Sequence, residues 1–442
     1  MNTDHSVTEK ELYKLQKDTF RYFTSLSNPE NGLVPDNTRT DSPCSIAAVG
    51  LALSCYPIAA ERSFVSRKEA ASRTLTTLRF FWQAEQSTAA DATGYKGFFY
   101  HFLDMKTGKR TWKSELSTID SSFVFAGALT AAAYFDRKSA VETEIRNLAD
   151  KIYRRANWQW VQDKNGRVSH GWTPERKFLR YHWDGYSEGI ILMILGLGSP
   201  TFPLKDGSYA QWLKKYSWKK LYEFEFLYAA PLFIHQLTHI WIDFRGIQDQ
   251  FMRKMGIDYF ENSRRATYVQ QAYAIRNPKK FEGYGKFSWG ITASDGPGPA
   301  VQRVNGIVRR FYDYKARGVP YGPDDGTLAP WGVAASLPFA PEIVLPTLHD
   351  MNRRYPHITG EHGYKCSFNP SFHKNSKDKN GWRSKGHYGL DQGPVVLMIE
   401  NFRTGLIWRL NRSSPYIIEG LRRAGFTGGW LTGRLGLTRK RK

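Results

Sequence analysis

The sequence predicts an all-α protein: a single (α/α)6 barrel, six inner helices alternating with six outer ones, with two short β-hairpins in its loops. Three observations predict it. Helical periodicity dominates the 442 residues and yields about twelve helical segments. No stretch rich in Pro, Gly or Ser divides the chain, and no repeat stands out, so 1–442 reads as one domain rather than several or a solenoid. Strand signals are confined to two places.

Helices are expected near 8–26, 44–61, 66–85, 118–136, 140–156, 184–197, 207–216, 228–240, 247–276, 331–354, 388–409 and 414–424. In the third, Ala71, Leu75, Leu78 and Trp82 fall on one face, and Val395, Met398, Ile399, Phe402 and Leu406 repeat that spacing near the C-terminus. The fourth opens at Ser117, an N-cap residue, with Asp120 placed to close a capping box. GIILMILGLG, 189–198, is apolar all round and belongs in a core. Pro394 suits a first helical position, which makes Asp391 an N-cap residue by default. GFFYHFLDMKTGKRTW reads as a hairpin turning at Thr107-Gly108, and WQWVQDKNGRVSHGW as a second turning at Asn165-Gly166. The Gly/Pro clusters near 293–300 and 318–330 read as one long loop region.

Composition bounds the function. Hydrophobic residues make up 41%, enough for a large core. The net charge of +22 suggests a polyanionic partner (nucleic acid, membrane surface or charged glycan) or a basic solvated surface. The dense terminal cluster RLGLTRKRK reads as a basic disordered tail from about 433. Cys44, Cys55 and Cys366 match neither a disulfide framework nor a zinc motif. The opening residues lack the apolar core of a signal peptide, and no apolar run reaches the ~20 residues of a membrane span. As written the chain is expected in the cytoplasm, or in the periplasm or outside the cell if a leader was removed.

The chemistry gathers at three junctions. In WKSELSTIDSSF, residues 112–123, the cap accounts for Asp120, whereas Glu115 lies outside the helix and is free to point into a cleft. In RYHWDGYSEGIILMILGLGSP, Asp184 and Glu188 are four apart and would share a helix face. Glu188 leads straight into an apolar segment, where burial raises a carboxyl pKa as a general acid requires. Trp183 and Tyr186 beside it offer flat faces to a sugar ring. In HYGLDQGPVVLMIENFRTGLIW, Asp391 and Gln392 could bind hydroxyls at the mouth. His235 and His239 have a zinc-like spacing but lack the adjacent glutamate and a third ligand, so His239 is assigned a hydroxyl or carbonyl hydrogen bond instead. Ser294 has no nucleophile-elbow context, and no GxxxxGK[ST] loop is present. Trp289, Tyr321 and Trp331 are loop aromatics suited to stacking on sugars.

At these residues the chain resembles the bacterial glycoamylase-like family, which contains secreted endo-β-1,2-glucanases (glycoside hydrolase family 144). Related domains act as transglycosylases in cyclic β-1,2-glucan synthases. The resemblance rests on SELSTIDSSFVFAGALTAAAYF, WDGYSEGIILMILGLGSP, HIWIDFRGIQDQ, WGITASDGP, DGTLAPWGVAASLPFAPE and GLDQGPVVLMIENFRTGLIW, in order from about residue 110 to 410. It implies the (α/α)6 barrel and glycoside cleavage by a carboxyl pair, with Glu115 and Glu188 the matching acids. Asp120, Asp184, Asp295 and Asp391 would support them. SDGPGPAVQRVNGIVRRFYDYKARG departs from the family pattern and is rich in arginine. The expected function is endo-type hydrolysis of β-1,2-glucan releasing sophoro-oligosaccharides. Glu188 is the acid, and Glu115 activates water directly or through a substrate hydroxyl. One alternative is a β-1,2-glucan transglycosylase or cyclising enzyme. Another, of a different class, is a polyanion- or nucleic-acid-binding helical protein with a degenerate site. The acids at successive helix mouths and the absence of a nucleic-acid-binding module weigh against it. No metal or organic cofactor is required, and a monomer acting on a polysaccharide or oligosaccharide is expected. Arg303, Arg309, Arg310 and Arg317 would contact anionic substituents on such a glucan.

Overall fold

A computed structural model describes residues 7–373 and 381–434, so most of the predicted basic tail lies outside the described residues. The first five helices follow the sequence pattern closely: α1 (Glu9–Ser25), α2 (Ile46–Glu61), α3 (Arg67–Gln83), α4 (Thr118–Tyr134) and α5 (Ala140–Arg155). Then come α6 (Ile190–Gly198), α7 (Ser208–Leu213), α8 (Gln250–Met255), α9 (Tyr259–Arg276), α10 (Pro330–Ala335), α11 (Pro341–Arg354), α12 (Gly389–Arg403), α13 (Leu406–Asn411) and α14 (Pro415–Arg423). No described helix is long and apolar enough to cross a membrane.

Two layers follow from the burial of these helices. Helices α2, α4, α6, α10 and α12 are buried on nearly every side. A helix with no polar face needs protein all around it, and these pack as an inner layer, α2 against α4 and α12, and α6 against α4. Helices α1, α3, α5 and α14 bury one face and lie outside them, α1 on α12 and α14 on α6. The closest inner contact depends on two glycines. A Cβ at Gly127 of α4 would lie 2.1 Å from the carbonyl oxygen of Gly50 on α2, closer than any side chain tolerates. One connected core runs through both layers, from Val7 to Leu431.

Several expected helices are shorter or divided. The 184–197 helix begins only at Ile190. The 228–240 segment forms two 3-10 turns, Leu232–His235 and Leu237–Ile240. Gly256, at φ +75°, separates α8 from α9, and Gly405, at φ +65°, separates α12 from α13. These are left-handed positions that stop a helix cheaply only at glycine.

The mostly helical fold carries more β-structure than two hairpins. Both expected turns form, with Gly108 at φ +70° and Gly166 at φ +78°. In addition, a five-stranded antiparallel sheet runs in the order Gly94–Tyr95, Phe98–Tyr100, Leu116–Ser117, Gly171–Thr173 and Lys177–Phe178. Part of the expected long loop is a hairpin, Ala300–Val304 paired with Ile307–Phe311. Its inward Val304 and Phe311 form a small cluster with Phe372. The central strand of the five-stranded sheet, Leu116–Ser117, feeds directly into α4.

Candidate active site

The first turns of the inner helices converge on one concave region. Two adjoining cavities of about 530 Å³ and 240 Å³ share Ile119 and Asp120 of α4, Leu390 and Asp391 of α12, and the loop residues Glu188 and Tyr314. Ser45 and Ala47 at the start of α2 border the larger cavity, and Trp331 at the start of α10 borders the smaller. Asp36, Arg39, His101, Glu115, Trp183 and Tyr388 are among the further residues that line the larger one.

Glu188 sits on the loop immediately ahead of α6, and its carbonyl accepts a 2.9 Å hydrogen bond from Thr238 Oγ1. Apolar walls formed by Phe123, Phe233, Leu237 and Trp331 share the smaller cavity with it. Burial pushes its carboxyl up to about 7, and the nearby charge of Asp120 pushes in the same direction. It therefore holds a proton near neutrality.

Glu115 is treated in the opposite way. It directly precedes the strand that feeds α4, and sheet pairing sets it beside His101, whose N–H donates to the Glu115 carbonyl at 2.9 Å. The side chains meet as well, His101 Nδ1 to Glu115 Oε1 at 2.9 Å. Burial alone would raise the Glu115 carboxyl, but the hydrogen bond and charge of His101 pull it below its ordinary value. The other ring nitrogen, Nε2, faces Asp120 Oδ2 at 3.6 Å. Burial pulls the His101 pKa down, yet Asp120, Glu115 and Asp36 together raise it to about 9. His101, Glu115 and Asp120 have the donor types of a cation site, with donor atoms within 4.8 Å of one another. A metal ion bound there could use only one ring nitrogen, whereas the carboxylates face opposite nitrogens. The cation this arrangement suits is the imidazolium itself.

The expected capping box is half formed. Ser117 Oγ accepts the Asp120 N–H at 3.2 Å, but the Asp120 carboxylate turns to the cleft. Asp391 is likewise not an N-cap. Helix α12 starts earlier, at Gly389, and carries Pro394 inside it. The Asp391 side chain is buried, and its Oδ2 has no hydrogen-bond partner among the described residues. Burial pushes its carboxyl well above the usual range. Trp183 donates its ring N–H to Thr118 Oγ1 at 2.9 Å and stacks on His170 at 4.0 Å, forming one flat wall. Phe102 stacks on His101 at 4.0 Å, and exposed Trp112 lies next to it, forming another.

Other sequence-predicted residues serve elsewhere. Asp184 and Glu188 share no helix face, because the helix starts after both; Asp184 pairs with Lys215 Nζ at 2.5 Å. The Tyr186 hydroxyl meets His235 Nδ1 at 3.2 Å within an aromatic cluster that includes Tyr259. His239 is buried, bonds Ser263 Oγ at 2.9 Å and is pushed down to about 3 by burial, so it acts in packing and not at a sugar. Gln392 donates to the Tyr364 carbonyl at 2.9 Å within the core. Asp295 is buried and pairs with Arg39 at 2.8 Å, so it reaches the cleft only through that arginine. Trp289 is buried and bonds Thr347, whereas exposed Tyr321 packs on Tyr228, outside both cavities. Of the arginines, Arg317 is buried against Asp325 at 2.7 Å, and Arg309 is buried and donates to the Lys279 and Lys280 carbonyls. Both are structural, and Arg303 and Arg310 face solvent on the hairpin away from the cavities.

Sequence reasoning missed Asp36, Arg39, His101, His170, Tyr314 and Tyr388, all in the cleft wall. Most sit on irregular loops. The one available signal was their polar or aromatic character next to helix starts, which is a weak one.

The Glycoamylase family model matches residues 180–415, more than half of the chain. A curated relative, an exo β-1,2-glucooligosaccharide sophorohydrolase (non-reducing end) of Parabacteroides distasonis, is 26% identical over 95% of this chain and 58% of its own length. The solved β-1,2-glucanase from Parabacteroides distasonis superposes with a TM-score of 0.82 at 25% identity, over 95% of this chain and 60% of that one. This chain thus spans less than two thirds of either protein. The endo-β-1,2-glucanase from Chitinophaga pinensis, solved with sophorotriose and glucose, has a TM-score of 0.83 over 96% of this chain and all of that one; at 22% identity it speaks to the fold alone. The fold, the acid-lined cleft at the helix starts and the matched residues agree: the chain belongs to the Glycoamylase family.

Proposed function

We propose that the chain is a glycoside hydrolase that cleaves β-1,2-glucan, built as a single (α/α)6-barrel domain with its cleft at the N-terminal ends of the inner helices. The observation that carries this is the pair Glu188 and Glu115: both face one cleft, and their surroundings move their proton affinities in opposite directions. A glycosidase needs one carboxyl protonated and one ionised at the same pH. In the proposed reaction the Glu188 O–H gives its proton to the glycosidic oxygen as the C1–O bond breaks. Glu115 takes a proton from water, directly or through a substrate hydroxyl, as the water oxygen bonds to C1. The chemistry is complete with two carboxyls and water. The substrate assignment draws on the relatives' names and on the flat aromatic walls, which suit sugar faces.

Endo cleavage is the favoured mode. Glu115 also borders a further hollow of about 410 Å³, lined by Lys113, Thr173 and Arg176, which we take as an extension of the groove. A groove that is open beyond the reacting centre accommodates a chain cut within its length. The test is to incubate the protein with linear β-1,2-glucan, cyclic β-1,2-glucan and starch and to separate the products over time. A ladder of sophoro-oligosaccharides from both β-1,2-glucans, and little glucose from starch, is expected. Sophorose alone from the linear chain, with cyclic glucan untouched, would replace endo by exo cleavage. Inactivity on both β-1,2-glucans would overturn the substrate assignment.

A further inference from the structure

His101 is the only basic side chain placed between two acids of the cleft among the described residues, and its attachment is double. The main chain joins it to the Glu115 carbonyl, and the ring joins it to the Glu115 carboxylate. Its plane is fixed from the side by Phe102, 4.0 Å away and 12° from parallel. A ring held in this way cannot turn from Glu115 toward another partner without losing the stack.

We propose that His101 is a positioning residue of the carboxyl pair: its imidazolium orients Glu115 through Nδ1–H and faces Asp120 through Nε2–H. The inference rests on the reading of the chain as a carboxyl-pair glycosidase. A neutral imidazole carries one N–H and one lone pair. Between two carboxylates it would satisfy one and repel the other, whereas the imidazolium serves both. The charged groups facing the ring are Glu115 ahead of α4, Asp120 on its first turn and Asp36 from the loop before α2. Arg39, His170, Glu188, Asp391 and the phenols of Tyr314 and Tyr388 complete the ionisable lining of the same cavity. Three acids thus surround one imidazole, and the protonated ring is the form that balances them.

The consequence is specific. Without the imidazolium, burial acts on Glu115 against only a backbone hydrogen bond and the charge of Arg110, so its pKa rises and on the acid side it becomes protonated and cannot accept a proton from water. A His101→Gln variant should therefore lose kcat/KM unevenly with pH. An upward move of one pKa unit in Glu115 is worth about tenfold at the acid end and little above neutrality. A residue that only supports the fold would lower activity by the same factor at every pH.

Two measurements test this. The first is the pH profile of kcat/KM on linear β-1,2-glucan for wild type and His101→Gln between about pH 3 and 8. An acid limb displaced upward by about one unit, with the loss in kcat rather than KM, is expected; parallel profiles would overturn the proposal. The second is nitrogen-15 NMR of histidine-labelled wild-type protein, which needs neither activity nor a folded variant. Both ring nitrogens of His101 should be protonated at pH 7, and a neutral tautomer there would overturn the proposal. If wild type releases no sugar from the glucan, the substrate assignment fails and the NMR result alone decides the charge on His101.

Discussion

Glu115 and Glu188 border the same cavity with the same side chain, yet they stand in different kinds of structure. Glu115 directly precedes a strand of a small sheet and is tied to His101 through main chain and side chain. Glu188 stands on a loop ahead of a wholly apolar helix and bonds its neighbours through its carbonyl. The polar setting holds Glu115 ionised, while the apolar one keeps Glu188 protonated up to about 7. The difference teaches that the opposite protonation preferences of two identical side chains come from backbone placement, since residue type cannot supply them.

The largest effects should come from removing either acid. Glu188→Gln leaves the shape of the side chain intact and removes the transferable proton, so turnover on β-1,2-glucan should fall by roughly 10²–10⁴-fold. Glu115→Gln should cost a comparable factor, because the water then loses its base. Both variants should show an unchanged far-UV circular dichroism spectrum. A folded Glu188→Gln protein with near wild-type turnover would dissolve the contrast between the two residues.

The pH dependence of wild-type activity should show the same asymmetry. The proposed reaction requires Glu188 with its proton and Glu115 without, so turnover should decline above about pH 7, by about tenfold per unit once Glu188 has titrated. The acid limb should lie below the ordinary glutamate value, since His101 lowers the Glu115 pKa. A flat profile from pH 6 to 9 would remove Glu188 as the acid.

Stability should separate the pair by sign. The Glu188 pKa is raised in the folded state from 4.5 to about 7, so its contribution is present below about 4.5 and is lost as pH rises through about 7. Glu188→Gln should therefore be more stable than wild type at pH 8, by roughly 1–3 kcal/mol or a few degrees in Tm, with the gain gone in acid. The Glu115 pKa is lowered, so its contribution is present above 4.5 and is lost as pH falls through the lowered folded value. Glu115→Gln should thus be less stable at neutral pH, by about 1 kcal/mol or less given its partial exposure. Thermal melts of both variants at pH 4 and pH 8 check the signs.

Much of this contrast could be read from the chain. The apolar run after Glu188 announced a buried carboxyl, and the position of Glu115 ahead of a capped helix announced a free one. Helices α1, α3 and α5 were legible from a periodic apolar face, and α2 and α4 from runs of mostly small and apolar residues, sixteen and seventeen long. The 228–240 segment misled because its apolar spacing is helical, although Pro231 and the bond from the Phe233 N–H to Thr292 Oγ1 hold it in short turns. His101 was hidden for a different reason. Within GFFYHFLD it reads as one more strand residue, and its two acid partners are fourteen and nineteen positions away in chain. Asp36, Arg39 and Tyr314 lie on loops, where side-chain direction follows from tertiary contacts that no local pattern encodes.

Asp184 supplies the smallest expected effect and the sharpest control. It stands four positions before Glu188, and on a continuous helix the two would point the same way. The chain does not allow this: Gly185 adopts φ +76°, and its N–H bonds the Trp212 carbonyl at 3.1 Å. Asp184 is thereby turned toward Lys215, whose side chain is 65% exposed, while Glu188 faces the cavity. An ion pair this open to solvent contributes about 0–1 kcal/mol. Asp184→Asn should accordingly lower Tm by no more than a degree or two and leave kcat and the shape of the pH profile as in wild type. A large loss of turnover in a folded Asp184→Asn protein would mean that the cleft reaches past Trp183 to this carboxylate, and that three acids rather than two divide the chemistry.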